Sequence, residues 1–283
     1  MKKVKVLVTG ATGFIGKNLI PLIKRKYEVT CLVRKSSKTG ELKDMDVKLA
    51  FGDLLDKNSL LKAVKAETVI HLATSHKQGK KEDLIAAENL IEACKENKVK
   101  KIIFLSSMAA KRRSLDDYGK IKLEIEKMIK SSGLNYTILR SSVIYSEKNL
   151  SLIGKSLKIP FLIPVIGNGN YKLNPVYIDD VTEAICRSIK SKKADKKNYD
   201  VAGGGSISFN EIIEICRKEF RISKPIVHIP ISICLLIFKI FPIVSQEAVK
   251  GINEDTNADT KNLEKDLKLN PRSFRQGIKN VSL

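Results

Sequence analysis

The chain has 283 residues, 43% of them hydrophobic, which is ordinary globular composition and enough for one large α/β domain with or without a smaller lobe. Its formal charge of +21 comes mostly from lysines spread over nearly every helical segment. With no Trp and no basic motif this excludes a focused nucleic-acid site and reads as a lysine-rich solvated surface, an anionic membrane or acidic substrates being the other readings.

In chain order, Val4, Val6, Leu7 and Val8 mark a buried parallel strand. That apolar run is short, holds Lys5 and leads straight into glycines, so it does not read as a secretory signal. Thr9-Gly10-Ala11-Thr12-Gly13-Phe14-Ile15-Gly16 follows, and then a helical pattern over 17–26 with Leu19, Ile20, Leu22 and Ile23 on its apolar side. Strand, glycine-rich turn and helix N-terminus together predict a dinucleotide pyrophosphate site. Gly10 permits the turn, Gly13 lets backbone approach phosphate, and Gly16 lets the helix pack closely; Thr12, Phe14 and Ile15 complete the expected contacts.

Further strands are predicted over 28–34, 47–51, 68–72, 102–106 and 136–139, with helices between them, including 83–97 and 117–132. Such alternation calls for a doubly wound α/β fold, a parallel sheet with helices on both faces. Ligands then bind beyond the carboxyl ends of the strands, where Arg34–Lys38, Asp53, His71–Thr74, Ser106–Met108 and Arg140–Val143 stand. The predicted division is a dinucleotide-binding domain over 1–145 and a smaller, mostly helical substrate lobe over 146–283. The strand and helix within 171–202 are expected to pack back onto the first domain.

Tyr118 and Lys122 are four residues apart at the start of a helix, one turn apart on one face. A tyrosine of ordinary pKa near 10 is a poor base at neutral pH, and a nearby ammonium lowers that pKa. Ser107, past the fifth strand, is placed to hydrogen-bond a substrate carbonyl. Ser107, Tyr118 and Lys122 are therefore the candidate catalytic set. After the second strand stands Arg34-Lys35-Ser36-Ser37-Lys38, with no carboxylate to repel a 2′-phosphate. Arg34 can pair with one bidentately, which predicts NADP(H) over NAD(H). Five scattered cysteines, Cys31, Cys94, Cys186, Cys216 and Cys234, read as reduced core residues of a cytoplasmic protein. With them His71, His76 and His228 make no metal-ligand spacing, so no metal is expected.

Taken together, these motifs resemble the short-chain dehydrogenase/reductase superfamily, on its extended or atypical side. The resemblance rests on the Thr-Gly-x-x-Gly-x-x-Gly fingerprint, Gly52-Asp53-Leu54, His71-Leu72-Ala73, Ser106-Ser107 and the Tyr118/Lys122 pair. The segments 132–140 (SGLNYTILR) and 174–181 (NPVYIDDV) extend it over nearly the whole chain. It implies a Rossmann domain in which Asp53 and Leu54 meet the adenine, Leu72 and Ala73 line the ribose side, and Lys122 also binds the nicotinamide ribose. It further implies hydride transfer between nicotinamide and a substrate carbonyl or alcohol, or epimerase/dehydratase chemistry with the same residues. Only ten residues separate Ser107 from Tyr118, with Ala109-Ala110-Lys111-Arg112-Arg113 among them. Nucleotide-sugar enzymes carry a longer insertion there, so the pattern is nearest the branch of the NADPH-binding accessory subunit of respiratory complex I. That branch makes a non-catalytic redox sensor or assembly factor of a membrane complex the alternative. Ser141 and Ser146 replace the family's Pro and Gly.

The longest apolar stretch, 226–244, is interrupted by His228, Pro230, Lys239 and Pro242. Between the prolines a helix over 231–241 would be roughly 16 Å long, too short for a bilayer core of about 30 Å. A buried helix of the second lobe is the plain reading, and a peripheral contact with anionic lipid the other.

Overall fold

The computed structural model describes residues 3–74, 81–112, 115–234 and 255–282. His76, Arg113 and most of the apolar stretch after Cys234 lie outside those residues.

Alternation of apolar side chains builds the sheet. In β1 (Lys5–Thr9), Val6 and Val8 enter one hydrophobic cluster and Leu7 the opposite one. β2 (Glu28–Val33), β3 (Lys48–Phe51), β4 (Thr68–His71), β5 (Lys101–Ser107) and β6 (Asn135–Ser141) follow. Four short strands come next, β7 (Ile144–Tyr145), β8 (Ile163–Ile166), β9 (Lys172–Leu173) and β10 (Val176–Tyr177), then β11 (Lys197–Val201). The central sheet runs β11-β6-β5-β4-β1-β2-β3, and every neighbour is parallel. The chain reverses direction across the sheet between β1 and β4, so a crevice opens there beyond the strand ends.

Helices cover both faces. α1 (Phe14–Ile23) packs on one, with α2 (Gly40–Asp44) beside it. α3 (Lys57–Ala63), α4 (Glu82–Glu96) and α5 (Asp117–Ser131) cover the other, burying Leu60, Leu90, Ile91, Ile121, Ile125 and Ile129 against the strands. Beyond α6 (Ser151–Lys158), α7 (Ile178–Lys190) returns to the α1 face through Val181, Ala184 and Ile185. The predicted strands and helices of the first domain are present, with ends shifted by one to three residues.

A second core gathers Tyr145, Ile153, Leu157, Ile163, Val165, Phe209 and Ile212. It combines α6, the antiparallel pair of β9 with β12 (Ile207–Ser208), α8 (Phe209–Glu219) and a parallel pair of β8 with β13 (Ile226–Ile229). β13 departs from the mostly helical reading of the lobe over 146–283: its four residues lie between Pro225 and Pro230, too short a run to show a period. Helical structure begins at 231–234, and the rest of the 231–241 segment lies outside the described residues. The chain then recrosses the molecule, and Leu263, Leu267 and Leu269 join the core of the central sheet. Among the described residues no helix is long and apolar enough to cross a membrane.

Candidate active site

A cleft of about 630 Å³ lies at the reversal point of the sheet. Its floor is the turn after β1. Gly10 has φ +71°, and a Cβ on it would lie 2.7 Å from the Ala73 nitrogen, so both the backbone conformation and the close approach of the β4 end require glycine. Thr9 ties the same two strand ends together: its hydroxyl accepts from the Ala73 N–H at 3.3 Å and lies 2.8 Å from His71 Nδ1. Gly13 donates its N–H to Gly10 O at 3.0 Å and is the N-cap of α1, with no side chain capping the first turn. The N–H groups and dipole of that turn are therefore available to an anion. Gly16 sits behind, where a Cβ would lie 2.5 Å from the carbonyl oxygens of Gly10 and Ala11.

One wall follows from β2 and β3. Ser37 donates its N–H to Arg34 O at 2.9 Å and accepts from the Arg34 N–H through its hydroxyl at 3.1 Å. This turn leaves Arg34 exposed at the cleft. Asp53 accepts the Leu55 N–H at 3.0 Å, and Asn89 donates to Leu54 O at 3.0 Å, fixing Asp53, Leu54 and Leu55 as the neighbouring wall. Of the expected cofactor contacts, Gly10, Thr12, Gly13, Phe14, Ile15, Arg34, Asp53, Leu54, Leu72 and Ala73 all border the cleft. Gly16 and Lys122 are not among its walls.

The chemical end is assembled by α5. Asp116 caps that helix, accepting the Gly119 N–H at 2.7 Å, which sets Tyr118 in the first turn. Gly119 is needed because a Cβ there would lie 2.6 Å from Ala109 O, in the short turn Met108–Lys111 after β5. That close packing brings Ser107 to Tyr118, and the two side chains hydrogen-bond. Lys122, one turn on, is almost fully buried, with Nζ 5.0 Å from the Phe104 ring centre and 5.6 Å from that of Tyr118. His71 stacks on the same Phe104 ring.

Electrostatics here correct one expectation. Burial raises the Tyr118 pKa; the Ser107 hydrogen bond opposes this, and the charges of Asp116 and Asp83 add to it. The Lys122 ammonium lies over the phenol ring, and what moves that pKa is burial, Ser107, Asp116 and Asp83. Burial lowers Lys122 to about 8, against the opposing pull of Asp83 and Glu126. His71 is lowered to about 3 by burial and by Lys122, so it is neutral at physiological pH. Asp83, a buried residue in the first turn of α4, borders the cleft and accepts from the Thr74 hydroxyl at 2.9 Å. Thr74 closes the strand-end segment 71–74 that the sequence singles out, whereas sequence reasoning missed Asp83. An acidic residue in a helix's first turn reads as a dipole partner, with nothing local to point it at a cleft.

Arg140, flagged at a strand end, turns away from the cleft. It forms two bonds to the fully buried Glu126, Nε to Oε1 at 2.8 Å and Nη2 to Oε2 at 2.5 Å, and Glu126 also accepts from the Ser106 hydroxyl. Asp180 accepts from the Arg272 backbone at 3.1 Å and its guanidinium at 3.2 Å, joining α7 to the C-terminal segment. Among the described residues no cluster of His, Cys, Asp and Glu has the form of a metal site.

The sequence profile of a family described as NAD(P)H-binding matches residues 10–156. The photosystem II assembly factor Ycf39 of Cyanophora paradoxa is 28% identical over 240 residues, 80% of this chain and 72% of that protein. The N-acetyl-alpha-D-glucosaminyl-diphospho-ditrans,octacis-undecaprenol 4-epimerase of Escherichia coli O157:H7 is 24% identical over 85% of this chain and 80% of its own. The structure of a UDP-glucose 4-epimerase from Thermotoga maritima, with UDP-glucose, superposes with a TM-score of 0.79 over 98% of this chain and 97% of that one, at 21% identity. At that identity the likeness establishes the fold.

Proposed function

The chain belongs to the NAD(P)H-binding family, and we propose that it is an NADP(H)-dependent oxidoreductase of the short-chain dehydrogenase/reductase type. The observation that carries this reading is the convergence of Ser107, Tyr118 and Lys122 beside a cleft whose glycine turn and uncapped helix suit a dinucleotide pyrophosphate. Arg34 and Ser37, with no carboxylate between 34 and 38, suit the 2′-phosphate of NADP(H). Asp53 and Leu54 would hold the adenine, and Lys122 the nicotinamide ribose. Bound nicotinamide supplies or accepts the hydride. Ser107 holds the substrate oxygen, and Tyr118 gives that oxygen its proton as a carbonyl is reduced. A phenol whose pKa is raised by burial keeps its proton at neutral pH, which suits the donor role in reduction. Oxidation and re-reduction of one substrate alcohol would use the same side chains, and the E. coli relative is named as an epimerase. All five cysteines are free thiols, which supports a reducing, cytoplasmic setting.

The second reading is a cofactor-binding assembly factor without turnover, in keeping with the short link between Ser107 and Tyr118 and with the Ycf39 relative. Tyr118→Phe separates the two. In a reductase assay over aldehydes, ketones and quinones, the variant should lose about two to four orders of magnitude in turnover while NADPH titration gives an unchanged affinity. Equal rates in both proteins remove Tyr118 from the mechanism, and NADPH binding without turnover by the wild type favours the assembly-factor reading.

A further inference from the structure

The most exposed large apolar side chain among the described residues is Phe161, at 89%. It has φ +66°, a left-handed conformation that costs any residue with a Cβ free energy. Nothing is gained from burial in return. Ile159, two residues before it, is also exposed. The loop carrying them is held in place on both sides. The Leu162 N–H donates to Pro160 O at 2.8 Å, the Ile163 N–H to Pro225 O at 2.8 Å, and Lys224 Nζ to the carbonyls of Leu157 and Ile159 at 3.0 and 2.9 Å. The fold thus presents an aromatic tip on a rigid mount at the start of the β8/β13 pair.

The charged side chains that flank the tip along the chain are cations. Lys155 and Lys158 are exposed in the last turns of α6, and Arg221 is exposed just before Lys224. No Asp or Glu occurs between 148 and 178, or between 220 and 246, although the chain carries 31 in all. An apolar wedge flanked by cations, in stretches of chain free of carboxylates, complements a surface that is anionic outside and hydrocarbon within. We infer that the loop 158–162 is a membrane-docking tip, which sets Ile159 and Phe161 among the acyl chains of an anionic bilayer while Lys155, Lys158 and Arg221 meet its headgroups. The inference does not depend on catalysis, since none of these residues borders the cofactor cleft.

The test is cosedimentation of the full chain with vesicles of phosphatidylcholine and phosphatidylglycerol in equal parts, against phosphatidylcholine alone. Wild type should pellet with the anionic vesicles at low salt and stay in solution with the neutral ones. Ile159→Ser with Phe161→Ser should weaken binding about tenfold or more, and Lys155→Ser with Lys158→Ser roughly fivefold per lysine. High salt should act as the lysine changes do. Because the altered side chains are exposed, melting temperature and NADPH affinity should stay at wild-type values, which separates loss of docking from misfolding. Wild type remaining in solution with anionic vesicles overturns the proposal. So does a serine variant that pellets like wild type, or one whose only change is a shift of oligomeric state in gel filtration, which would make the tip a protein contact.

Discussion

The two ends of the cleft are built from different materials. At the phosphate end the walls are backbone: Gly10 lies against Leu72 and Ala73, and Gly13 caps α1 with no side chain. At the chemical end buried side chains drawn from separated segments stand behind the wall, with Asp83 of α4, itself a wall residue, acting on Tyr118 and Lys122 of α5, and Ser107 from β5 bonded to Tyr118. A site made of backbone tolerates no added atom and is indifferent to pH. A site made of buried charges tolerates substitution sterically, and its properties move with protonation.

Gly10→Ala should have the largest effect, because it breaks the backbone end outright. The methyl would meet Ala73 N at 2.7 Å, on a residue already at φ +71°. Gly133 is the internal control: it also has positive φ, +81°, but nothing lies within 4 Å of its Cβ position. Gly133→Ala should therefore lose only the conformational cost, about 1 kcal/mol. Gly10→Ala should lose that and the strain of parting two strand ends, roughly 3 kcal/mol or more, and its NADPH binding with it. Chemical denaturation and cofactor titration of the two variants side by side check this; equal losses would mean that the approach of Ala73 is unimportant.

The same contrast explains what the sequence made legible. The phosphate end is one contiguous segment whose glycine spacing, strand and helix are all local, so its residues were found together. Tyr118 and Lys122 were found because one helix turn links them. The pKa logic between them was not, because burial and the charge of Asp83 depend on how α4 meets α5, which is 35 residues from Asp83 to Tyr118 along the chain. Arg140 was misplaced for a related reason: a strand-end arginine looks like a ligand contact until its partner, Glu126, is known to lie beneath it. β13 and the return of Leu263, Leu267 and Leu269 to the first core leave no periodic trace, being short and set by distant partners.

Arg34→Ser sharpens the comparison at the rim, where side chain meets solvent. An exposed arginine pairing with a 2′-phosphate contributes as a charge-assisted hydrogen bond, on the order of 1.5 kcal/mol or more. NADPH affinity should fall about tenfold or more while NADH affinity is unchanged. Equal losses for both cofactors would instead assign Arg34 to the adenine face, and the NADP(H) preference would fail.

Asp83→Asn produces the smallest change and reads the chemical end directly. Lys122 is surrounded by Phe104, Tyr118 and the neutral His71, with Asp83 and Glu126 supplying the negative charge that keeps its proton on. Its pKa is lowered from 10.5 to about 8, so the ammonium is present at neutral pH and lost as pH rises through about 8. If that ammonium holds the nicotinamide ribose, kcat/KM should bend downward there. Replacing Asp83 by Asn keeps the shape and the contact to the Thr74 hydroxyl but removes a charge that stabilises the ammonium, so the bend should move to lower pH. The same charge raises Tyr118, and its removal lowers the phenol, but burial, the largest cause, still holds the phenol above its ordinary pKa. Lys122→Met should abolish the bend altogether. Stability carries an independent signature. Between about 8 and 10.5 the unfolded chain binds more protons at Lys122 than the folded one, so this group makes the fold more stable as pH rises through that window, and its cost is constant below it. In Asp83→Asn the window should open at a lower pH, and in Lys122→Met it should vanish. Denaturation midpoints collected from pH 6 to 10 would show this, and a kinetic bend that stays at wild-type pH in the Asn variant would remove Asp83 from the control of Lys122.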